Sequence, residues 1–361
     1  MPSIGLKLPL PRKLADITVA ARRYFASAQA TAVDQLDKIP GLADATPDKS
    51  VAKARLKAWW YGTTYISPAP SGLETLLEPQ NLEEDEADAA SEELANFKAT
   101  VEGWSPQRVK AAQMLFGTGY AKPGGDEMIR MIFDKVDLAK GLTVFSKSNK
   151  LTEIGSGLGG AAELIATESG ANVAGLETDP NLLAAARIAS TNATDANFSE
   201  VDFDNFKPRK KSADAIISFE SLFAAPKKEK LIKSFAASLK PGGRLILTDF
   251  ALSAPEERAE EEIIKWASSE PQEVDPWTLN EWTQHLESNG LSILSSEDIT
   301  DKYKKYIFRS FLDYSDFIQN TKFDETLRLQ VMAEGQLWAD RIAAFESGKL
   351  QLMFIYARMT A

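Results

Sequence analysis

Residues 151–160 read LTEIGSGLGG, and Gly155, Gly157 and Gly160 within them satisfy the spacing G-x-G-x-x-G. Where a strand ends in such a cluster and a helix follows, backbone N–H groups and the positive end of the helix dipole face a ligand over the strand's carboxyl end. Alone the pattern is weak, and two acids sharpen it. Glu153 stands two positions before the first glycine, giving E-x-G-x-G-x-G across 153–159. Glu177 closes the next apolar run, NVAGLE, 22 residues after Gly155. A carboxylate there can accept both hydroxyls of a ribose. The chemistry on offer is therefore the binding of a nucleoside-containing cofactor. Both NAD and S-adenosylmethionine carry such a ribose; Glu177 does not separate them, while Glu153 favours the second.

Composition removes other chemistries. The 361-residue chain has no cysteine and a single histidine, His285, so disulfides, thiolate metal sites, a Cys nucleophile and a multi-histidine centre are excluded. The setting of His285, NEWTQHLESNG, reads as a helix surface. Seven carboxylates crowd residues 82–94 (LEEDEADAASEEL), but they lack the spaced ligand loop and turn glycine of a calcium site and read as a solvated face or linker. No bound metal is expected. A formal net charge of −11 argues against a sequence-independent grip on nucleic acid. No apolar run approaches the roughly 18 residues of a membrane span.

The elements that must position these residues follow from the hydrophobic pattern. From about 105 to 300, short apolar runs alternate with helical segments. Strands are predicted at KLTEI, NVAGLE, FSEVDF, ADAIISF, GRLILTDF and LSILSSEDI, with helices near 159–168, 180–190, 226–239 and 279–288. That alternation predicts an α/β fold with a doubly wound, mostly parallel sheet covered by helices on both faces. KLQLMFIYARM predicts a terminal strand, antiparallel at the sheet edge. The polar SKSN ahead of KLTEI reads as a loop or a shortened strand. Residues 1–100 read as a helical appendage whose aromatic cluster (Trp59, Trp60, Tyr61) packs against a neighbour, leaving 101–361 as the main domain. The first 33 residues carry Lys7, Arg12, Lys13, Arg22 and Arg23 against Asp16 alone. They continue as an amphipathic helix, so the expected location is cytoplasmic, with an organelle transit peptide as the alternative.

In order, LTEIGSGLGG, VAGLETD, ADAIISFESLF and LKPGGRLILTDF resemble the class I S-adenosylmethionine-dependent methyltransferases, whose sheet is Rossmann-like. The resemblance covers about 105–361, and the ordered set is much more specific than any one motif. It implies that Glu153, Gly155 and Gly157 line the methionine portion of S-adenosylmethionine, with Ser156, Gly159 and Thr178 in the same cofactor set. It further implies that Glu177 holds the ribose and that Asp202 or Phe203 flanks the adenine. Phe219 and Glu220 would face the reacting methyl.

Upstream, FGTGYAKPGG (116–125) resembles the lead-in to the first strand of phosphoethanolamine N-methyltransferases, and LWADRIAAFESGKLQLMFIYARM is similar to their ending. In that family a Tyr precedes the lead-in, and an Asp after the fourth strand is followed four positions later by a catalytic His. Ungapped alignment puts Trp104 at the Tyr, Glu220 at the Asp and Ala224 at the His, so the acid is kept in kind and the other two are lost.

Methyl transfer is an in-line displacement dominated by positioning and requires no metal. Glu220, at a strand's carboxyl end, is the expected base or cation partner. Trp104, Phe116, Tyr120, Phe219 and Phe223 could cage an ammonium, each with ordinary core packing as its competing reading. The segment DKYKKYIFRSFLDYSDF carries Tyr303, Tyr306, Phe311 and Tyr314 with Lys302, Lys304, Lys305 and Arg309. Within 301–345 it reads either as a lid whose Arg309 meets an anionic substrate group or as a packed amphipathic helix. The expected function is methyl transfer to a small-molecule acceptor, amine nitrogen before oxygen, sulfur or carbon, with N-terminal helices that either cover the site or mediate homodimerisation. The alternatives are a non-catalytic binding or scaffold subunit of the same fold and an NAD(P)-dependent oxidoreductase.

Overall fold

The computed structural model describes residues 103–190, 195–318 and 325–360. The expected N-terminal appendage, its aromatic cluster, the acidic 82–94 stretch and any dimerisation through them lie outside the described residues.

Two helices, α1 (Pro106–Phe116) and α2 (Gly125–Val136), and a 3-10 turn (Gly141–Val144) precede the sheet. Then come β1 (Lys150–Ile154), α3 (Gly160–Ser169), β2 (Asn172–Glu177), α4 (Pro180–Ala189), β3 (Ala196–Glu200), β4 (Ala213–Phe219), α5 (Lys228–Ser238) and β5 (Leu239–Leu252). The remainder is α6 (Glu261–Ser269), α7 (Leu279–Ser288), β6 (Leu291–Asp298), α8 (Thr300–Ile318), α9 (Glu325–Glu346) and β7 (Leu350–Met359). Local chemistry fixes several starts. Asp179 accepts from the Asn181 and Leu182 amides with Pro180 at the first helical position, and Thr278 and Glu281 form a reciprocal capping box. Each arrangement satisfies amides that a helix start leaves open.

The seven strands form one sheet in the order β3-β2-β1-β4-β5-β7-β6. Strands β1 to β5 run parallel, with helices on both faces, as the alternation predicts. Strand order reverses between β1 and β4, so the carboxyl ends of those two strands open a crevice where ligands bind in such sheets. Ile154, Ile216, Leu245, Leu247 and Ile355 join Trp282 and Leu286 of α7 in one buried cluster.

The terminal strand is antiparallel, as expected, but hydrogen-bonds on both sides, to β5 and to β6. The cause is its composition: LQLMFIYARM is buried along most of its length, whereas β6 alternates outward to Ser, Glu and Asp and suits the outer position. The third strand ends at Glu200, ahead of the expected FSEVDF boundary, because the Asp202 side chain accepts from the Asp204 amide and starts a 3-10 turn. SKSN is a loop closed by Asn149, whose side chain accepts from the Ser146 amide at 2.9 Å.

Candidate active site

The glycine cluster of the β1–α3 turn is shaped by neighbours on several sides. Gly155 has φ 68°, and a Cβ there would stand 2.5 Å from the Ser221 Cβ. Its amide and that of Ser156 donate to the Leu176 carbonyl at 2.8 and 3.0 Å, fastening the turn to β2. Gly157 has φ 55° and only open space where a Cβ would point. Gly160 donates to the Gly119 carbonyl at 2.9 Å, and a Cβ there would meet that oxygen and the Tyr120 ring. The FGTGYAKPGG segment therefore lies directly on the start of α3.

Both expected acids stand beside this turn. Glu177 is buried; Oε2 accepts from the Gly157 amide at 2.8 Å, and Oε1 from the Thr178 and Asp179 amides at 2.7 and 3.0 Å. Glu153 is buried at the end of β1, and its Oε2 has no hydrogen-bond partner among the described residues. Burial pushes its carboxyl up to about 8, opposed by the charge of Lys122 and reinforced by that of Glu177.

These residues line a cavity of about 610 Å³ that runs from the turn, past the end of β4, to α8 and α9. At the end of β4, Glu220 adopts φ 41°, a left-handed conformation uncommon for a side-chain-bearing residue and concentrated at functional sites. Its carboxylate accepts from the Thr248 hydroxyl at 2.6 Å and from the Tyr303 hydroxyl at 3.4 Å, and the Lys122 ammonium lies 3.5 Å away. Lys122 also donates to the Phe219 carbonyl. Burial, then the charge of Glu220, drives the Tyr303 phenol well above its ordinary range, keeping it a hydrogen-bond donor. Behind the site, Asp249 is fully buried; its carboxyl is pushed up to about 7 by burial, with Lys228 opposing.

The structure brings Glu153, Gly155, Ser156, Gly157, Glu177, Thr178, Asp202, Phe203, Phe219 and Glu220 to this one cavity, with Trp104, Tyr120 and Phe223. It leaves Gly159, Arg309 and Phe116 outside this lining. Gly159 has its open side against the Phe198 ring and shapes the turn from behind. Arg309 is half exposed and pairs with Glu127 at 2.6 Å, because its position on α8 turns it away from the face that carries Tyr303. Phe116 is core, packed edge-on against Phe311 and Trp338, and Trp104 lies under the Arg108 guanidinium at 4.1 Å. His285 stacks on Trp277, in keeping with a helix-surface setting.

Lys122, Glu270, Trp338 and Arg341 also line the cavity, and sequence reasoning passed over them. Lys122 was within reach, since it belongs to the quoted lead-in segment. Glu270 and Arg341 are 71 positions apart and paired only by the packing of α6 and α9, so no local pattern announces them. Among the described residues no cluster of His, Asp or Glu could hold a metal ion. No described helix is long and apolar enough to cross a membrane.

Comparison with known proteins agrees with this geometry. Residues 127–296 match the methyltransferase domain family. The chain is 24% identical over 255 residues to phosphoethanolamine N-methyltransferase 2 of Caenorhabditis elegans, covering 69% of this chain and 55% of that protein. It is 27% identical over 194 residues to phosphoethanolamine N-methyltransferase 1 of Zea mays, covering 53% of this chain and 36% of the relative. The chain thus spans about half or less of the length of these relatives. In fold it is similar to Haemonchus contortus phosphoethanolamine N-methyltransferase 2 in complex with S-adenosyl-L-methionine. That match has a TM-score of 0.62 at 19% identity and covers 74% of this chain and 60% of the other. A cyclopropane synthase from Mycobacterium tuberculosis superposes with a TM-score of 0.55 at 15% identity, over 73% of this chain and 98% of that one. The described residues thus share the Rossmann-like fold of these structures, and the match to the methyltransferase domain family lies within residues 127–296.

Proposed function

We propose that this chain transfers a methyl group from S-adenosylmethionine to the amine nitrogen of a small molecule. The observation that carries the reading is one continuous cavity with Glu153, the Gly155–Gly157 turn and Glu177 at one end and Glu220 at the other. The residues fit the cofactor. Gly157 leaves its side-chain position open, Glu153 offers a buried oxygen without a partner to an ammonium, and Glu177 offers a carboxylate to ribose hydroxyls. In this reading Asp202 and Phe203, which line the same cavity, flank the adenine.

When bound, S-adenosylmethionine supplies a methyl already activated on a sulfonium. What remains for the chain is positioning and proton removal. Glu220, fixed by Thr248 and Tyr303, is placed to accept a proton from an incoming ammonium, exposing the nitrogen lone pair. The relatives named as phosphoethanolamine N-methyltransferases support a nitrogen acceptor. In this reading α8 and α9 cover the site in a cytoplasmic enzyme, and they supply Tyr303, Trp338 and Arg341 to the cavity.

Ala224 and Trp104, at the positions of the family's His and Tyr, favour a second reading, a binding subunit that keeps the fold without turnover. Calorimetry with S-adenosylmethionine and NADH, followed by methyl transfer to a set of amines, tests both. Tight S-adenosylmethionine binding with product formation is expected. Binding without product on any acceptor supports the second reading, and a preference for NADH overturns both.

A further inference from the structure

The acceptor end of the cavity ties its cations to its own carboxylates. Arg341 of α9 meets Glu270 in a two-pronged pair, Nε to Oε1 and Nη2 to Oε2, both at 2.7 Å. Glu270 is in turn anchored, since its Oε1 also accepts from the buried Trp266 indole at 2.6 Å. The guanidinium plane rests 4.4 Å from the Trp338 ring and 5.5 Å from that of Phe250. Lys122 is 3.5 Å from Glu220, and Arg108 is paired with Glu334. Among the described lining residues these three cations face seven carboxyl groups.

A phosphate and a carboxylate compete for the same planar fork of an arginine. To take a phosphate on the Nε–Nη2 edge that now holds Glu270, Arg341 would have to release it, and a carboxylate whose side chain is 1% exposed would be stranded without its counter-ion. A small ammonium meets no such cost. Phe223, Phe250, Tyr303 and Trp338 offer ring surface at this end of the cavity, and Glu220 offers charge.

We infer that the acceptor is an alkylamine whose tail carries no phosphate, and that Glu270 sets this preference by occupying Arg341. The inference rests on the methyltransferase reading of the same cavity and narrows its acceptor.

The experiment is calorimetric and begins with S-adenosylhomocysteine alone. No binding at that stage overturns the methyltransferase reading, and this inference with it. With S-adenosylhomocysteine bound, ethanolamine, its N-methyl and N,N-dimethyl forms and phosphoethanolamine are titrated in turn. At least one phosphate-free amine is expected to bind about tenfold or more tightly than phosphoethanolamine, reflecting the buried pair that phosphate must break. The variant Glu270→Gln, which releases Arg341, is expected to gain about tenfold in phosphoethanolamine affinity while keeping its S-adenosylhomocysteine affinity. Tighter binding of phosphoethanolamine by the unmodified chain, or binding of none of the amines, overturns this inference alone. Should Glu270→Gln fail to fold, the comparison on the unmodified chain decides.

Discussion

Thr248 and Glu220 are tied to each other twice across the β4–β5 pair. The Thr248 hydroxyl donates to the Glu220 carboxylate at 2.6 Å, and the Glu220 amide donates to the Thr248 carbonyl at 2.7 Å. The second bond holds a backbone at φ 41° that would otherwise relax, at a conformational cost of about 1–3 kcal/mol. The first aims the carboxylate. Together they turn the residue that follows a strand into a group pointed along the cavity.

From that relationship follows a split between turnover and binding. Glu220→Gln keeps the shape and loses the proton acceptor, so its kcat is expected to fall by about 10²–10⁴. Thr248→Val keeps the volume and loses the aim, so a smaller fall in kcat is expected. Both variants should bind S-adenosylhomocysteine within about threefold of the unmodified chain, because neither residue faces the ribose or methionine side. Loss of binding in step with kcat would assign both residues to structure.

Glu177 accepts three backbone amides, so its carboxylate is held in place before any ligand arrives. Removing it in Glu177→Ala takes away charge-assisted bonds of about 1.5–3 kcal/mol. S-adenosylmethionine affinity is expected to drop about 10- to 100-fold by calorimetry. Unchanged affinity would remove Glu177 from the ribose position.

Two buried carboxyls give stability an unusual pH dependence. Burial lifts Glu153 from 4.5 to about 8 and Asp249 from 3.8 to about 7. Between the lower and upper values the folded chain holds protons that the unfolded chain has released. Stability is therefore fully expressed at the acid side and falls as pH rises through each folded value. The ligand-free melting temperature is expected to drop from pH 5 to pH 8, and to drop less in Glu153→Gln and in Asp249→Asn. A melting temperature that rises over this window in the unmodified chain, with no change in slope in the variants, contradicts the assignment. A cationic group bound beside Glu153 would favour its ionised form. Cofactor binding near pH 7 is thus expected to release a proton, read as a dependence of binding enthalpy on the buffer's ionisation heat.

The contact between the lead-in segment and α3 has a sharp steric test. A Cβ at Gly160 would stand 2.6 Å from the Gly119 carbonyl oxygen and 2.8 Å from the Tyr120 ring. Gly160→Ala is expected to cost about 1–3 kcal/mol in urea unfolding, as overpacked sites do. It should also weaken cofactor binding, since Lys122 hangs from the displaced segment. A variant as stable as its parent would show that the segment gives way freely.

Much of this was legible in the chain. KLTEI, NVAGLE and ADAIISF are strands to the residue, because each is a short apolar run bounded by turn residues. The cofactor side reads well for a related reason: its groups sit on one strand-turn-helix unit and on the end of the next strand, where sequence distance and spatial distance agree. The acceptor side does not. Tyr303, Glu270 and Arg341 reach the cavity from α8, the turn after α6 and α9, and only the packing of those helices brings them together. Arg309 illustrates the difficulty: a helix of mixed aromatic and basic spacing leaves its inner face ambiguous, and the side chain that reaches the cavity from α8 is Tyr303, six positions earlier.

The placing of β7 has a bearing on how the molecule comes to exist. Among the described residues β6 pairs with β7 alone, and β7 fills the gap between it and β5. During synthesis, β6 leaves the ribosome with no partner and waits while α8 and α9 are made. Strands β1 to β5 can pair as they emerge, whereas β6 gains its strand partner only when residues 350–359 arrive. The side of the cavity formed by α8 and α9 is therefore the last to assemble, after the glycine turn and Glu177 already stand in place.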